Sequence, residues 1–198
     1  MELQTLIFMG PSGSGKGTQA NLLDQYLRKY DTEHETFKLE TGAGFRSFIE
    51  GDSYSAQLEK ELMKNGVRAP DFLAIHIWSH IMIQYFKHSN QHVLIDGSPR
   101  SVPEAMALKT ALLFYKLNKP TVLYFNASRE WSIARMNERG RNDDDIENIN
   151  RRLDWYERDV VPAIEIYRED PDVRVIEVDA EQTIEEVQAG IIEKLSLK

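Results

Sequence analysis

The sequence predicts an α/β fold in which a five-stranded parallel sheet is covered by helices on both faces. Two observations lead to this prediction. Short runs of β-forming residues alternate with helical patterns along the chain, which indicates parallel strands joined by helical crossovers. The first β-forming run leads directly into a glycine-rich loop and then a helix, the order in which sheets of this class bind phosphate groups.

The predicted elements follow from local composition and periodicity. Strands are predicted at short apolar or β-branched runs, residues 3–9, 35–39, 92–95, 121–125 and 173–178. Helices are predicted where apolar residues recur at helical spacing, residues 16–30, 53–65, 71–87, 103–117, 129–139, 146–168 and 184–195. The apolar face predicted for the first helix comprises Ala20, Leu22, Leu23, Tyr26, Leu27 and Tyr30. Pro162 is expected to kink or break the longest helical run.

The glycine-rich loop has the spacing of a phosphate-binding P-loop. In the stretch IFMGPSGSGKGTQA, Gly10 is followed after four residues by Gly15 and Lys16. Such glycines let backbone N–H groups point at a polyphosphate, and the helix N-terminus adds partial positive charge. The loop departs from the general pattern because Gly17 follows the lysine, where a hydroxyl residue commonly binds Mg²⁺. The metal must therefore be held by another residue.

An acidic residue at the end of the third strand can meet this need. The strand ends in VLIDGSPR, so Asp96 emerges at the carboxyl end of the sheet beside the P-loop. A carboxylate there can hold hydrated Mg²⁺, although an aspartate that caps a helix or forms a salt bridge is the alternative. Arg100 follows with a planar guanidinium suited to a phosphate.

Further arginines cluster towards the C-terminal part of the chain. Arg135 and Arg139 lie one helical turn apart, Arg141 lies in a short charged segment, and Arg151 and Arg152 follow. We expect Arg151 to lie on a solvated helix face. The other arginines could surround a phosphoryl group, whose transfer depends on alignment and positive charge.

Composition limits the classes of function. A chain of 198 residues fits a single domain. Its net charge of −8 argues against nucleic-acid and membrane-surface partners. It contains no cysteine, which suits a reducing cytosol and excludes a thiolate zinc site. No leader and no apolar run of membrane-spanning length is visible, so we expect a cytoplasmic protein.

Four ordered motifs identify a family resemblance that spans nearly the whole chain. GPSGSGKGTQA, TGAGFR (residues 41–46), DGSPR (residues 96–100) and RGRNDD (residues 139–144), with Arg152 downstream, resemble adenylate kinases and their nucleoside monophosphate kinase relatives. The resemblance implies a single P-loop kinase domain, residues 1–198. Its core comprises residues 1–40, 70–137 and 146–198, with an acceptor-binding insertion at about 41–69 and a very short lid at about 138–145.

The resemblance also implies a reaction and its ligands. The chain is expected to transfer a phosphoryl group in line from Mg²⁺–ATP to a nucleoside monophosphate (NMP), AMP in the first place, giving two ADP. It implies a monomer, with small nucleotides as its only partners. No structural zinc is expected. His76 and His80 share a helix face but have no obvious third ligand, so we expect them to be ordinary helix residues.

Individual residues take their roles from the resemblance. The catalytic residues are Lys16, Arg100, Arg139, Arg141 and Arg152. ATP is bound by Ser12, Gly13, Ser14, Gly15, Lys16, Gly17, Thr18, Arg135, Arg139 and Gln182. The acceptor is bound by Thr41, Gly42, Arg46, Arg68, Ala69, Gly97, Arg100, Glu104, Arg141 and Arg152. Asp96 holds Mg²⁺ through water, and the pair that supports lid closure is Asp143 and Asp144.

Two positions depart from the family pattern and leave the acceptor base open. Glu104 matches a glutamine that reads adenine in AMP-specific relatives, and Ser98 replaces a phenylalanine often found there. An ionised glutamate only accepts hydrogen bonds, so it opposes N1 of adenine and better suits the N1–H and amino group of guanine. Either Glu104 accepts only from the adenine amine, or the chain is a kinase for GMP, UMP or CMP.

A non-catalytic nucleotide-binding switch is the alternative from another class. The string Asn118-Lys119-Pro120-Thr121 faintly resembles a guanine-reading motif. However, Thr121 stands where that motif requires an aspartate. A switch would also have no use for a second phosphate pocket, so failure to bind an NMP would favour it.

Overall fold

A parallel sheet of five strands forms the centre of the computed structural model, which describes residues 1–117, 119–140 and 144–197. The strands are β1 (Thr5–Met9), β2 (Glu35–Glu40), β3 (Gln91–Asp96), β4 (Thr121–Asn126) and β5 (Arg174–Asp179). Their order across the sheet is β2-β3-β1-β4-β5, and each neighbouring pair is parallel. The predicted fold class is confirmed, and each strand overlaps its predicted range.

The helices connect the strands and cover both faces of the sheet. They are α1 (Lys16–Tyr30), α2 (Thr41–Phe48), α3 (Tyr54–Lys64), α4 (Asp71–Tyr85), α5 (Val102–Phe114), α6 (Arg129–Arg139), α7 (Ile146–Trp155), α8 (Val161–Glu169) and α9 (Ile184–Lys194). Side-chain caps define several starts: Ser53, Ser101, Ser128, Asp145 and Thr183 each accept a backbone N–H of the first turn. Between β2 and α4, the helix predicted at residues 53–65 is α3, and α2 lies in the predicted insertion at residues 41–69.

The helix predicted over residues 146–168 is interrupted. A π-helical turn, Tyr156–Val160, separates α7 from α8. Pro162 lies in the first turn of α8, where its missing N–H is tolerated, whereas it could not continue an α-helix from α7. The turn brings Tyr156 and Val160 to the wall of a cavity described below, as π-turns often do at functional sites.

The core consists of two apolar layers on opposite faces of the sheet. Because successive strand residues point to opposite faces, β1 contributes Ile7 and Met9 to a layer with α4, α5 and α8. It contributes Leu6 and Phe8 to a second layer with α1 and α9. A strand that is buried on both faces explains the continuous apolar run at the start of the chain.

A polar cluster around Asp31 ties the end of α1 to the start of β3. Its carboxylate lies 2.9 Å from Nδ1 of His34 and 3.1 Å from Nε2 of His92. Nδ1 of His92 accepts the backbone N–H of Gln4 at 3.0 Å, so Nε2 carries the proton and donates to Asp31. The hydrogen bond from His34 holds the pKa of Asp31 below its usual range, while burial lowers the pKa of His92. The potential ligand atoms of these three side chains are close enough to bind one metal ion. However, both ring nitrogens of His92 form hydrogen bonds, so hydrogen bonds hold the cluster together.

Candidate active site

The glycine-rich loop and the third strand meet at one edge of the sheet. Phe8 of β1 pairs in register with Asp96, the last residue of β3. Their carboxyl ends therefore lie side by side, which brings the loop after Met9 next to the DGSPR segment. This is the edge at which open α/β sheets bind their ligands.

Glycine is required at two points of the P-loop. Gly10 has φ 147° and Gly13 has φ 86°, conformations that residues with a Cβ rarely adopt. A Cβ at Gly10 would lie 2.5 Å from the carbonyl oxygen of Phe125, and one at Gly13 would lie 2.6 Å from that of Ser132. The loop therefore packs directly on the backbone of β4 and on that of α6.

Lys16 lies over the loop that precedes it. Its Nζ donates to the carbonyl oxygens of Gly10 at 2.8 Å and Pro11 at 2.6 Å. Burial lowers the pKa of Lys16 to about 8, although the nearby Asp96 carboxylate acts in the opposite direction. An ammonium group held in this way is available to an anion, because phosphate oxygens are stronger partners than carbonyl oxygens.

The residue after the lysine leaves room for the carboxylate of Asp96. A Cβ added to Gly17 would lie 3.2 Å from Oδ2 of Asp96, so the carboxylate occupies the space beside the start of α1. Burial raises the pKa of Asp96, and Lys16 opposes this shift. In the described part of the chain, Asp96 forms no ion pair within 4 Å and caps no helix. This removes both alternatives considered for it, and an oxygen ligand in this place fits a hydrated Mg²⁺ ion.

A cavity of about 180 Å³ lies between the P-loop, the α2–α3 segment and the end of α7. It contains many of the residues that the sequence assigned to the site. Those that line it are Ser12, Lys16, Gly42, Arg46, Arg68, Ala69, Gly97, Arg100, Arg139 and Arg152. One cavity thus brings together the P-loop lysine and arginines from α2, α6, α7 and the two loops that follow α3 and β3.

Two of these arginines share one carboxylate. Oδ1 of Asp144 accepts from Arg139 Nη2 at 2.7 Å and from Arg152 Nη1 at 2.8 Å, while Oδ2 accepts from Arg139 Nε at 2.9 Å. The Asp144 side chain is 1% exposed. A bidentate pair that is withdrawn from water fixes the orientation of the guanidinium more firmly than an exposed pair does.

Arg100 is held between a backbone carbonyl and two aromatic rings. Its Nε donates to the carbonyl oxygen of Gly97 at 2.7 Å. The guanidinium carbon lies 6.0 Å from the ring centre of Phe45 and 5.9 Å from that of Trp155. Burial lowers the pKa of Arg100, whereas Glu104 and Asp96 raise it. A guanidinium placed on two rings keeps its outer N–H groups for a ligand.

Thr41, Ser98 and Glu104 form a buried chain of polar groups behind the cavity wall. The hydroxyl oxygens of Thr41 and Ser98 are 2.9 Å apart, and Ser98 Oγ donates to Oε2 of Glu104 at 3.4 Å. Each of these residues is at most 1% exposed. Burial raises the pKa of Glu104, and the positive charges of Arg100 and Arg68 oppose this shift.

Glu59 is a buried acidic residue in the site that sequence reasoning missed. It lies on α3, lines the cavity and is 1% exposed. Burial raises its pKa to about 7, although Arg100 lowers it. Its Oε2 atom has no hydrogen-bond partner among the described residues. Helical spacing is the sequence signal that could have indicated its burial. Glu59 lies three residues after Ala56, on the same face of α3, and both residues are buried.

Other assigned residues lie away from the cavity. Arg135 pairs with Glu138 at 3.1 Å, and Gln182 donates to Asp179 at 2.8 Å. Arg151 is half exposed and pairs with Glu147, as expected of a solvated helix face. The remaining P-loop residues form the loop and the start of α1 without lining the cavity: Gly13, Ser14, Gly15, Gly17 and Thr18. Arg141, Asp143 and Asn118 lie outside the described residues.

Comparison with known proteins gives a consistent result. A family model for adenylate kinase matches residues 8–171. The chain is 34% identical over 178 residues to an adenylate kinase of Prochlorococcus marinus (strain NATL1A), covering 89% of this chain and 91% of that relative. It is 30% identical over 187 residues to an adenylate kinase of Corynebacterium urealyticum, covering 94% and 96%. An adenylate kinase of Parabacteroides distasonis is 30% identical over 166 residues, covering 82% and 83%.

Proposed function

The chain belongs to the adenylate kinase family, and we propose that it transfers the terminal phosphoryl group of ATP to AMP, giving two ADP. One observation carries this proposal. A single cavity contains the P-loop lysine Lys16 together with Arg100, Arg139 and Arg152. A site for one nucleotide would not need arginines both on the P-loop side and beside the α2–α3 segment. Two phosphate groups that approach each other would need them.

The proposed mechanism depends on alignment and charge. The P-loop backbone and Lys16 hold the phosphates of the donor, and Arg100 holds the acceptor phosphate. Arg139 and Arg152, which Asp144 orients, compensate the charge on the phosphoryl group as it passes in line between two oxygens. No side-chain base and no covalent intermediate is required.

Mg²⁺ is the proposed cofactor, and the Asp96 carboxylate would hold it through water beside Gly17. When bound, the ion neutralises phosphate charge and orients the donor. Asp96 itself contributes a fixed oxygen ligand. Because Gly17 has no side chain, the space beside this carboxylate stays open.

Two segments beside the cavity would control access. We assign the acceptor to the α2–α3 insertion at residues 41–69, which contributes Gly42, Arg46, Arg68 and Ala69 to the wall. The lid is the short segment at residues 138–145, in which Asp144 joins the arginines of α6 and α7. Roles for Arg141 and Asp143 in this lid remain predictions.

The remaining assignments concern the setting of the protein. No helix in the described part of the chain is long and apolar enough to cross a membrane. The absence of cysteine and the family membership support a cytoplasmic monomer whose partners are small nucleotides.

Two substitutions test the proposed mechanism. Lys16→Ala and Arg100→Ala are each expected to lower kcat/KM for ADP formation about 1,000-fold or more, since each removes a charge from the transferring group. Circular dichroism and thermal unfolding would show that the fold is kept. Arg28→Ala is the matched control, because Arg28 is exposed and pairs with Asp24 outside the cavity. Activity like that of the unsubstituted protein in either cavity variant would refute the mechanism.

A further inference from the structure

One acidic side chain lies among the positive charges of the cavity. Within the part of the chain that the structure describes, the Lys, Arg, Asp and Glu residues that line the cavity are Lys16, Arg46, Arg68, Arg100, Arg139, Arg152 and Glu59. Glu59 is the one acidic residue in this set. Tyr156 also lines the cavity, and burial raises the pKa of its hydroxyl, so this group stays neutral. When ionised, the Glu59 carboxylate would repel the phosphate groups that the cations attract.

The carboxyl group of Glu59 has no hydrogen-bond or ion-pair partner among the described residues. Glu59 is 1% exposed, so it is withdrawn from water as well. In this it differs from Asp144, whose buried carboxylate accepts hydrogen bonds from Arg139 and Arg152. A buried carboxylate without donors is destabilised relative to its protonated form.

Arg100 is the cation that acts on Glu59 from the opposite side of the balance. Burial raises the pKa of Glu59 to about 7, and the positive charge of Arg100 lowers it. The guanidinium of Arg100 reaches the start of α2, where a Cβ on Gly42 would lie 3.9 Å from its Nη2 and 3.5 Å from Nη1 of Arg46. Since the proposed function assigns the acceptor phosphate to Arg100, that phosphate and Glu59 have a common neighbour.

A carboxyl group beside a bound phosphate favours binding only when it is protonated. Its O–H then donates to a phosphate oxygen in a charge-assisted hydrogen bond, which supplies the partner that Glu59 lacks. In the ionised form, the carboxylate would repel the phosphate and compete with it for Arg100. Buried carboxyl groups that stay neutral act as hydrogen-bond donors in the same way in other enzymes.

We propose that Glu59 is a further acceptor-binding residue, which in its protonated form donates a hydrogen bond to the phosphate that Arg100 holds. This inference rests on the proposed function, since it concerns the acceptor of the same reaction. Where Glu59 is ionised beforehand, its proton comes from the solvent. The proton stays on the carboxyl group during phosphoryl transfer, so Glu59 takes no part in the covalent chemistry. The acceptor therefore binds together with a proton.

The pH dependence of kcat/KM for AMP at saturating Mg²⁺–ATP tests this role, because this constant reports the ionisation of AMP and of the protein before AMP binds. Between pH 6 and pH 8, the unsubstituted protein should lose about tenfold more of its kcat/KM than Glu59→Gln does. The amide stays neutral and keeps an N–H donor. Titrations of Lys16 and of the AMP phosphate are common to both proteins and cancel in this comparison.

Calorimetric titration with AMP, in buffers that differ in ionisation enthalpy, counts the protons taken up and does not depend on turnover. At pH 7, the unsubstituted protein should take up about half a proton more per AMP bound than Glu59→Gln does. Glu61→Gln is the control, because Glu61 lies on the exposed side of α3. It should match the unsubstituted protein in both measurements. Thermal unfolding of Glu59→Gln would show that the fold is kept.

The outcomes separate this inference from the proposed function. Equal pH profiles and equal proton uptake in Glu59→Gln and the unsubstituted protein would overturn the inference, and AMP turnover in both would leave the proposed function intact. Weaker AMP binding by Glu59→Gln at every pH would also overturn the inference, because the ionised carboxylate would then be the form that binds. Proton uptake through Glu59 on AMP binding, without formation of ADP, would support the role of Glu59 and overturn the proposed function.

Discussion

The carboxylate of Asp144 accepts two hydrogen bonds from the guanidinium of Arg139, at 2.9 and 2.7 Å. The same carboxylate accepts from Arg152 at 2.8 Å. Asp144 therefore sets the distance and orientation between an arginine of α6 and an arginine of α7. Both arginines line the cavity, so the spacing of their positive charges there depends on this acidic residue.

Asp144→Asn is expected to lower kcat about 10- to 100-fold with a smaller effect on KM. The amide keeps the shape of the side chain but loses its charge and one acceptor, so the arginines are oriented less firmly in the transition state. Steady-state rates with varied ATP and AMP measure this split.

Glu147→Gln is the control for Asp144→Asn, because Glu147 is 77% exposed and pairs with the exposed Arg151. Exposed pairs contribute little, and this variant should keep its activity. An Asp144→Asn protein with unchanged kcat would show that Asp144 does not position the arginines for the reaction.

Gly17→Ala is expected to raise the Mg²⁺ concentration for half-maximal activity about tenfold. Its Cβ would lie 3.2 Å from Oδ2 of Asp96, closer than ordinary contact, so the carboxylate must shift from the place where it would meet the metal. Titration of activity with MgCl₂ at fixed ATP measures this change.

Gly190→Ala provides the matched glycine control. Apart from the backbone of its own helix, no atom of the described residues lies within 4 Å of a Cβ at Gly190, and the residue lies inside α9. Alanine there should stabilise the protein by about 0.5–1 kcal/mol without changing the metal requirement. Equal Mg²⁺ dependence in the two variants would remove Gly17 from the metal site.

Glu59 should make the stability of the protein depend on pH. Burial raises its pKa from 4.5 to about 7, so the folded state retains the proton over a range in which the unfolded chain has lost it. The stabilising contribution of protonation is complete below pH 4.5 and is lost as the pH rises through about 7. Glu59→Gln removes this titration and should gain about 1–2 kcal/mol relative to the unsubstituted protein between pH 5 and pH 8.

Urea unfolding of both proteins at pH 5, 6, 7 and 8 measures this difference. Glu61→Gln is the control, since Glu61 lies on the exposed side of the same helix. A stability difference for Glu59→Gln that does not change over this range would show that Glu59 is ionised throughout.

Lys16 should limit activity at high pH. Its pKa of about 8 in the free protein means that the ammonium form is lost above this value, and only that form attracts phosphate. Hence kcat/KM for Mg²⁺–ATP should fall above about pH 8. Lys16→Arg should be less active but should lack this fall, because its guanidinium stays charged. A high-pH decline that is identical in both proteins would assign it to another group.

Local patterns were sufficient to predict the fold and the position of the glycine-rich loop between β1 and α1. Strand, glycine loop and helix are adjacent in sequence, and Asp96 and Arg100 belong to a short motif at a strand end. Structural features that depend on contacts between residues far apart in the chain could not be predicted from the sequence. Arg68 and Asp159 form a hydrogen bond although they are separated by 91 positions. Asp159 lies on the π-helical turn, which no pattern of apolar residues in the sequence distinguishes from an α-helix.

The burial of individual side chains was the second feature that could not be predicted from the sequence. In the sequence, Glu59 cannot be distinguished from a glutamate on an exposed helix face. Its burial at the cavity wall becomes visible only in the folded structure. The family resemblance assigned Arg135 and Gln182 to ATP, and both assignments remain predictions. In the structure, Arg135 pairs with Glu138 and Gln182 donates to Asp179. The side-chain directions of Arg135 on α6 and of Gln182 after β5 could not be read from the sequence.

³¹P NMR of the protein with Mg²⁺–ATP and AMP can follow direct phosphoryl transfer between two nucleotides in the cavity. We expect the γ-phosphate signal of ATP and the signal of AMP to decrease together. The α- and β-phosphate signals of ADP should grow at twice that rate, without inorganic phosphate. Release of inorganic phosphate while the AMP signal stays constant, or no change in any signal, would refute direct transfer between the two nucleotides.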